Sequence, residues 1–420
     1  MQKLSERGVA ATPTRTDRIE AIIPAERMLE EFGTAVYEKK IELSERAITM
    51  SDTYLAPERE IQVPEELQDV IDFAYVPRPV EFFASSYISP VENVYHLALH
   101  EVQLALQAGR CHRRGWTGRG VKVAMADSGF LVHPFFSRNG FTLVPTQSPG
   151  SGDPTIDTSG HGTGEAANIF AMAPDCTVFG VKHGFSAAST LEACVDLNPH
   201  IMTNSWGWDV DHVSKSQLEQ TDPNFFNELV DIETVILQAV TSGITVFFSA
   251  GNGHRAFPAS IPEVLAIGGV TVQSDGDLEA SSYASSFRSK LYPGRRVPNF
   301  CGVVGESAPA PQPGHIMLPV PANSDLDGEN FPSGAQGTGW GIFSGTSAAS
   351  PQAAGIAALL KGISKNLSPA SIQSILSQTA TDVVKGKTAH EIEAVSGPDD
   401  ATGAGFMNAF SACEIAGSIS

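Results

Sequence analysis

Short apolar runs alternate with stretches whose apolar residues recur every three or four positions. VKVAMA (121–126), TVFGVK (177–182), HIMTNS (200–205), ITVFFSA (244–250) and VLAIGGV (264–270) read as strands. The strongest helical stretch is NFFNELVDIETVILQAV, which puts Phe225, Leu229, Ile232, Ile236 and Val240 on one face. Strands alternating with helices predict an α/β fold, a mainly parallel sheet with helices on both faces. Such sheets carry their chemistry beyond the carboxyl ends of the strands.

The pattern differs at the N-terminus. Residues 1–20 are polar and read as mobile. The next stretch predicts an amphipathic helix starting near Pro24, with Met28, Phe32 and Val36 at i+4 spacing and Leu29 and Ile41 widening the stripe. From 51 to 92 the chain turns extended, and FAYVPRPVEFF reads as a strand broken by Pro77 and Pro79 or as an edge strand. The expected organisation is a small α+β segment over 1–92 and an α/β domain over 93–420, with a boundary near Ser89–Val94. Residues 293–340, rich in Pro and Gly and including APAPQPG, read as a long surface insertion.

Composition narrows the function. The 420 residues are 42% hydrophobic and 18% charged, which supports a large core and argues against a disordered chain. The net charge of −20 gives no bulk attraction for nucleic acid or an anionic membrane. No apolar run approaches the roughly 18 residues of a membrane-spanning helix. Five scattered cysteines without a Cys-x-x-Cys pair suggest neither a disulfide scaffold nor a zinc site. With no apolar leader at the N-terminus, a cytoplasmic setting is the expectation.

Four motifs fall at element boundaries. Asp127-Ser128-Gly129 follows VKVAMA, where a strand-end carboxylate can orient another group or simply form a turn. Ser159-Gly160-His161-Gly162-Thr163-Gly164 opens a helix; its imidazole can accept and return a proton near neutrality, or the motif is only a capping loop. Ala250-Gly251-Asn252-Gly253 ends ITVFFS, where an amide can donate to developing negative charge. Phe343 to Pro351, FSGTSAASP, leads into an Ala-rich helix. A serine there lies at a helix N-terminus, which suits an alkoxide-like nucleophile as well as an ordinary cap.

Taken together in this order, the motifs resemble the subtilisin-like serine proteases, the subtilase family. VKVAMADSG, SGHGTG, NSWG, SAGNG, FPASIPEVLAIGGV, SGTSAASPQAAGIAALL and GAGFMNAFSA carry the resemblance from about residue 93 to 415. It implies a serine endopeptidase that hydrolyses polypeptides through an acyl-enzyme. Ser347 would be the nucleophile, His161 the general base and Asp127 its orienting carboxylate. Asn252 and the Ser347 N–H would form the oxyanion hole. Ser205, Trp206 and Gly207 would pair with the substrate strand, and Ala250 and Gly251 would wall the primary pocket. No cofactor is required. A structural calcium is compatible but no site maps, and Asp275-Gly276-Asp277-Leu278-Glu279 reads first as a solvated turn.

The chain departs from the family at several places. Gly164 and Glu165 replace the usual His-Val, at positions that do not transfer protons. Ala348 stands where Met is common, and Trp206 exceeds the frequent Leu, which would reshape the pocket rim. The resemblance also implies that residues 1–92 act as a zymogen's prodomain, inhibiting in cis and cut within Ser85–Glu92. A regulatory extension is the other reading. Two further functions stay in play: a binding pseudoprotease on the same fold, and acyl transfer to an amine in place of hydrolysis. An α/β-hydrolase esterase is disfavoured by the Asp-His-Ser order and the missing G-x-S-x-G.

Overall fold

The computed structural model describes residues 4, 9–13, 18–40, 48–49, 53–82, 96–305, 314–328 and 337–419. Each of the five apolar runs identified in the sequence is a strand: β1 (Lys122–Asp127), β3 (Thr177–Lys182), β4 (Ile201–Asn204), β5 (Thr245–Ser249) and β6 (Leu265–Val272). Three strands not read from the sequence join them: β2 (Thr142–Gln147), β7 (Leu278–Ala280) and β8 (Phe300–Val304). They form one eight-stranded sheet in the order β7-β6-β5-β4-β1-β3-β2, with β8 also on β6. All pairings are parallel except β6 with β7.

Side chains alternate across a strand, so β1 feeds two cores. Val123 and Met125 pack with α1 (His161–Met172) and α4 (Thr346–Ile363). Ala124 and Ala126 pack on the other face with α2 (Ala187–Asp196) and α3 (Pro223–Thr241). On α3 the predicted stripe is real: Phe225, Leu229, Ile232 and Ile236 are buried, each contributing roughly 1.5–3 kcal/mol. Asp222 caps that helix by accepting from the Phe225 N–H at 3.1 Å.

The sequence expectation needs correcting at three places. Residues Ala10–Pro13 and Ile19–Ile22 pair antiparallel, so the polar terminus contains a two-stranded ladder, anchored where Val9 and Ile19 meet Leu67. The helix after Pro24 spans only Ala25–Phe32, because Gly33 turns left-handed at φ 69° and ends it. Val36 then belongs to a strand, Val36–Lys40, paired with Thr53–Pro57. The 293–340 stretch is not a surface excursion throughout. Phe300–Val304 is a fully buried parallel strand of the main sheet, and His315–Pro319 pairs with Trp340–Phe343. The expected boundary at Ser89–Val94 and cleavage region at Ser85–Glu92 lie outside the described residues, as does most of APAPQPG.

The N-terminal segment docks on α2 and α3. Arg18 reaches Asp231 at 2.8 Å and Glu192 at 3.1 Å, and the Tyr75 hydroxyl donates to Asp231 at 2.5 Å. Asn224 exchanges two hydrogen bonds with the Val76 backbone. Arg78 pairs with Asp222, lies 4.9 Å from the Phe225 ring centroid, and its N–H donates to the buried Glu228.

Candidate active site

The carboxyl ends of β1, β4 and β5 place three motifs at one edge of the sheet. Asp127 ends β1, Ser205 follows β4, and Ala250 to Asn252 follow β5. His161 is the first residue of α1 and Ser347 the second of α4, both helices crossing the same face. His161 Nδ1 and Asp127 Oδ1 are 2.7 Å apart, and both side chains are fully buried. Burial depresses the imidazole's proton affinity. The charge and hydrogen bond of Asp127 more than offset this and raise its pKa above the ordinary value.

Asp157, not singled out in the sequence, builds the floor beneath this pair. Its carboxylate accepts from Ser128 Oγ at 2.8 Å, Gly160 N at 2.9 Å, and Thr163 N and Oγ1 at 2.9 and 2.6 Å. It thereby ties the loop after Asp127 to the first turn of α1. Gly162 lets the two approach: a Cβ there would meet the Gly129 carbonyl at 2.4 Å and Asp127 Cβ at 2.9 Å.

The serine side is clamped to β4. Ser347 Oγ lies 3.4 Å from the Ser205 carbonyl oxygen, and Ser205 Oγ donates back to the Ser347 carbonyl at 2.9 Å. Asn252 Oδ1 accepts from Thr346 N at 2.9 Å and Thr346 Oγ1 at 3.0 Å. With the amide oxygen so engaged, the trigonal geometry turns Nδ2 away from Thr346 as a donor. Gly251 N donates to Thr346 Oγ1 at 3.0 Å, which binds the Ala250–Gly251 wall to the same turn.

Ser205, Trp206 and Gly207 divide into two roles. The backbone of Trp206 and Gly207 pairs antiparallel with Phe82 and Glu81 of the N-terminal segment, and Ile48–Thr49 pairs on the outer side of those residues. The Trp206 side chain is not at a pocket rim. It is fully buried, donates to the Ala126 carbonyl at 3.1 Å, and packs edge-on against His183, Trp208 and Phe248. A long flat side chain on the inward side of a buried strand fills the core below it. Burial among these rings holds His183 neutral, its pKa pushed down to about 4.

The two departures after Thr163 also have places. A Cβ at Gly164 would meet the Phe343 ring at 2.7 Å, so no larger side chain fits there unshifted. Glu165 is fully buried one turn after His161, and burial pushes its pKa up to about 8. The acidic run 275–279 starts in a turn, with Asp275 accepting from Asp277 N and Asp277 paired to Lys385, and its Leu278 and Glu279 enter β7.

Asp127 at a strand end and His161 and Ser347 at two helix starts lie along one edge of the parallel α/β sheet. A sequence model of the subtilase family matches residues 118–405, and the chain belongs to that family. Among relatives, M-protease of Shouchella clausii (strain KSM-K16) is 28% identical over 286 residues, 66% of this chain and 63% of the relative. Subtilisin Savinase of Lederbergia lenta is 28% identical over 288 residues, 66% of this chain and 90% of the relative. The chain thus spans somewhat under two-thirds of M-protease. The fold is shared with a lanthipeptide protease at TM-score 0.57 and 21% identity, covering 76% of this chain and 94% of that one. It is also shared with fervidolysin from Fervidobacterium pennivorans, at 0.54 and 18%, covering 74% and 45%.

Proposed function

We propose that this chain is a serine endopeptidase acting on polypeptides, made with its N-terminal segment as an inhibitor in cis. The observation that carries the reading is the buried His161–Asp127 pair on the same sheet edge as the Ser347 turn. Ser347 Oγ attacks the peptide carbonyl carbon while His161 Nε2 takes its proton. Asp127 holds the Nδ1–H tautomer and stabilises the imidazolium. The tetrahedral oxyanion is met by the Asn252 amide and the Ser347 N–H at the head of α4. Collapse breaks the C–N bond, and the imidazolium protonates the leaving amine. Water, deprotonated by His161, then attacks the acyl-enzyme and frees Ser347.

The inhibitory role rests on the strand Glu81–Phe82, which occupies the edge of Trp206–Gly207 that an extended substrate would use. Removing the segment exposes that edge. Among its expected consequences, hydrolysis falls as pH drops through the raised His161 pKa, because the imidazolium cannot accept the serine proton. The test is labelling by a fluorophosphonate probe, with peptide-library cleavage read by mass spectrometry, on wild type and Ser347→Ala. Wild type should label and cleave, and the variant do neither. A chain that does neither after its N-terminal segment has been cut away is not a peptidase.

A further inference from the structure

Glu165 occupies an unusual place. All twelve residues of α1 are buried, so a carboxyl on this helix has no water to solvate it. One of its oxygens, Oε2, accepts from Asn168 Nδ2 at 2.8 Å. The other, Oε1, is buried with no hydrogen-bond partner among the described residues. An apolar side chain would fill the same space without that cost, so the carboxyl calls for a role.

The hydrogen bonds beyond Asn168 show where its influence goes. Asn168 Oδ1 accepts from Gln352 Nε2 at 3.3 Å. Gln352 also donates to the Val303 carbonyl at 3.0 Å and accepts from Val303 N at 2.8 Å. Gln352 stands on α4 five residues after Ser347, and Glu165 stands on α1 four residues after His161. One polar chain therefore crosses from the helix of the base to the helix of the nucleophile and ends on β8. Gly302 makes room for it, since a Cβ there would meet Gln352 Oε1 at 2.7 Å.

We propose that Glu165 is a positioning residue: it fixes the His161 helix against the Ser347 helix through Asn168 and Gln352. The inference deepens the peptidase reading and rests on it. Ionisable groups near the start of α1 include Asp127 at the end of β1 and Asp157 in the loop before α1. Lys361 lies at the far end of α4, and His112 meets α1 at its other end, at the Met172 carbonyl. Of all these, Asp127 acts on the Glu165 carboxyl, as does His161 itself, in opposite directions.

Two substitutions test the proposal. Glu165→Gln keeps an oxygen for Asn168, and Glu165→Val removes it. Glu165→Gln should keep kcat close to wild type. Glu165→Val should lower kcat, by up to about 10²-fold for a displaced general base, with KM unchanged. The low-field Nδ1 proton of His161, followed by NMR in the full chain, should hold its wild-type position in Glu165→Gln and shift in Glu165→Val. Equal kcat in the Val and Gln variants, or one His161 signal common to both, overturns the proposal. The NMR signal is read without turnover, so a chain with no peptidase activity defeats the functional reading while still deciding whether Glu165 positions His161.

Discussion

Asn252 offers a perturbation in which structure and chemistry can be separated. Its Oδ1 satisfies two buried donors, Thr346 N and Oγ1, while Nδ2 faces the other way. Asn252→Ala loses both functions. The two Thr346 donors are stranded, at about 1–3 kcal/mol of stability, and the oxyanion donor is gone. Asn252→Asp keeps an acceptor for Thr346 but replaces the donor with a second oxygen bearing negative charge. Loss of one oxyanion donor costs about 10²–10³ in kcat, or about 2.7–4 kcal/mol of transition-state stabilisation. The Asp variant should lose at least as much, because its charge repels the developing oxyanion. It should nevertheless melt close to wild type, whereas the Ala variant melts lower. Steady-state hydrolysis of a peptide ester, with thermal unfolding of the same samples, reads both quantities. An Asp variant with wild-type kcat would refute the assignment of Nδ2 as the donor.

Three further outcomes follow from the geometry. Glu81–Phe82 pairs antiparallel with Trp206–Gly207, next to Ser205, whose carbonyl is 3.4 Å from Ser347 Oγ. Self-cleavage is therefore expected on the C-terminal side of Phe82, giving a shortened mature chain in wild type and none in Ser347→Ala; N-terminal sequencing that finds both chains intact would count against cutting in cis. Arg78→Ala removes the Asp222 ion pair and the Phe225 ring contact, so the segment should release sooner and activity should appear with a shorter lag, most clearly at low salt. An unchanged lag would mean that Arg78 does not hold the segment. Gly164→His, the family's usual residue, must displace the Phe343 ring and should cost about 1–3 kcal/mol by calorimetry, against little change if the ring simply swings aside.

Five parallel strands, and the element boundaries that carry Asp127, His161 and Ser347, were legible because each strand is a short apolar run and each boundary is marked by Gly, Ser or Thr. What escaped notice obeys different rules. Phe300–Val304 is an apolar run as good as the others, but flanking Pro and Gly lent it the look of a loop. The side chain of Trp206 points inward because its neighbours alternate along the chain, and only the packing of His183 and Phe248 shows which way. Asp157 carries no local signal because it joins Ser128 of a distant segment to Thr163, and Glu165, noted only as a departure, gains its meaning from Asn168 on its own helix and Gln352 beyond it. Asp157 gathers Ser128 and Thr163 around it.

That division has a physical cause. A nucleophile or base at a helix start or strand end is flanked by small and turn-forming residues, which mark it in the sequence. A group that holds two elements in register is defined by what lies across the interface, and its spacing along the chain says nothing. Glu165 is buried between helices whose reactive residues, His161 and Ser347, lie 186 positions apart in the chain. The Asn168–Gln352 bond joins those helices without contacting either reactive side chain. The precision of this site therefore depends on the α1–α4 interface as much as on the strand ends. Exchanging Gln352 for Leu should test this with both reactive residues untouched. It strips Val303 N and its carbonyl of their partners, and kcat should fall while a fluorophosphonate still labels Ser347, only more slowly. Labelling at the wild-type rate would show that the two helices keep their register without the polar chain.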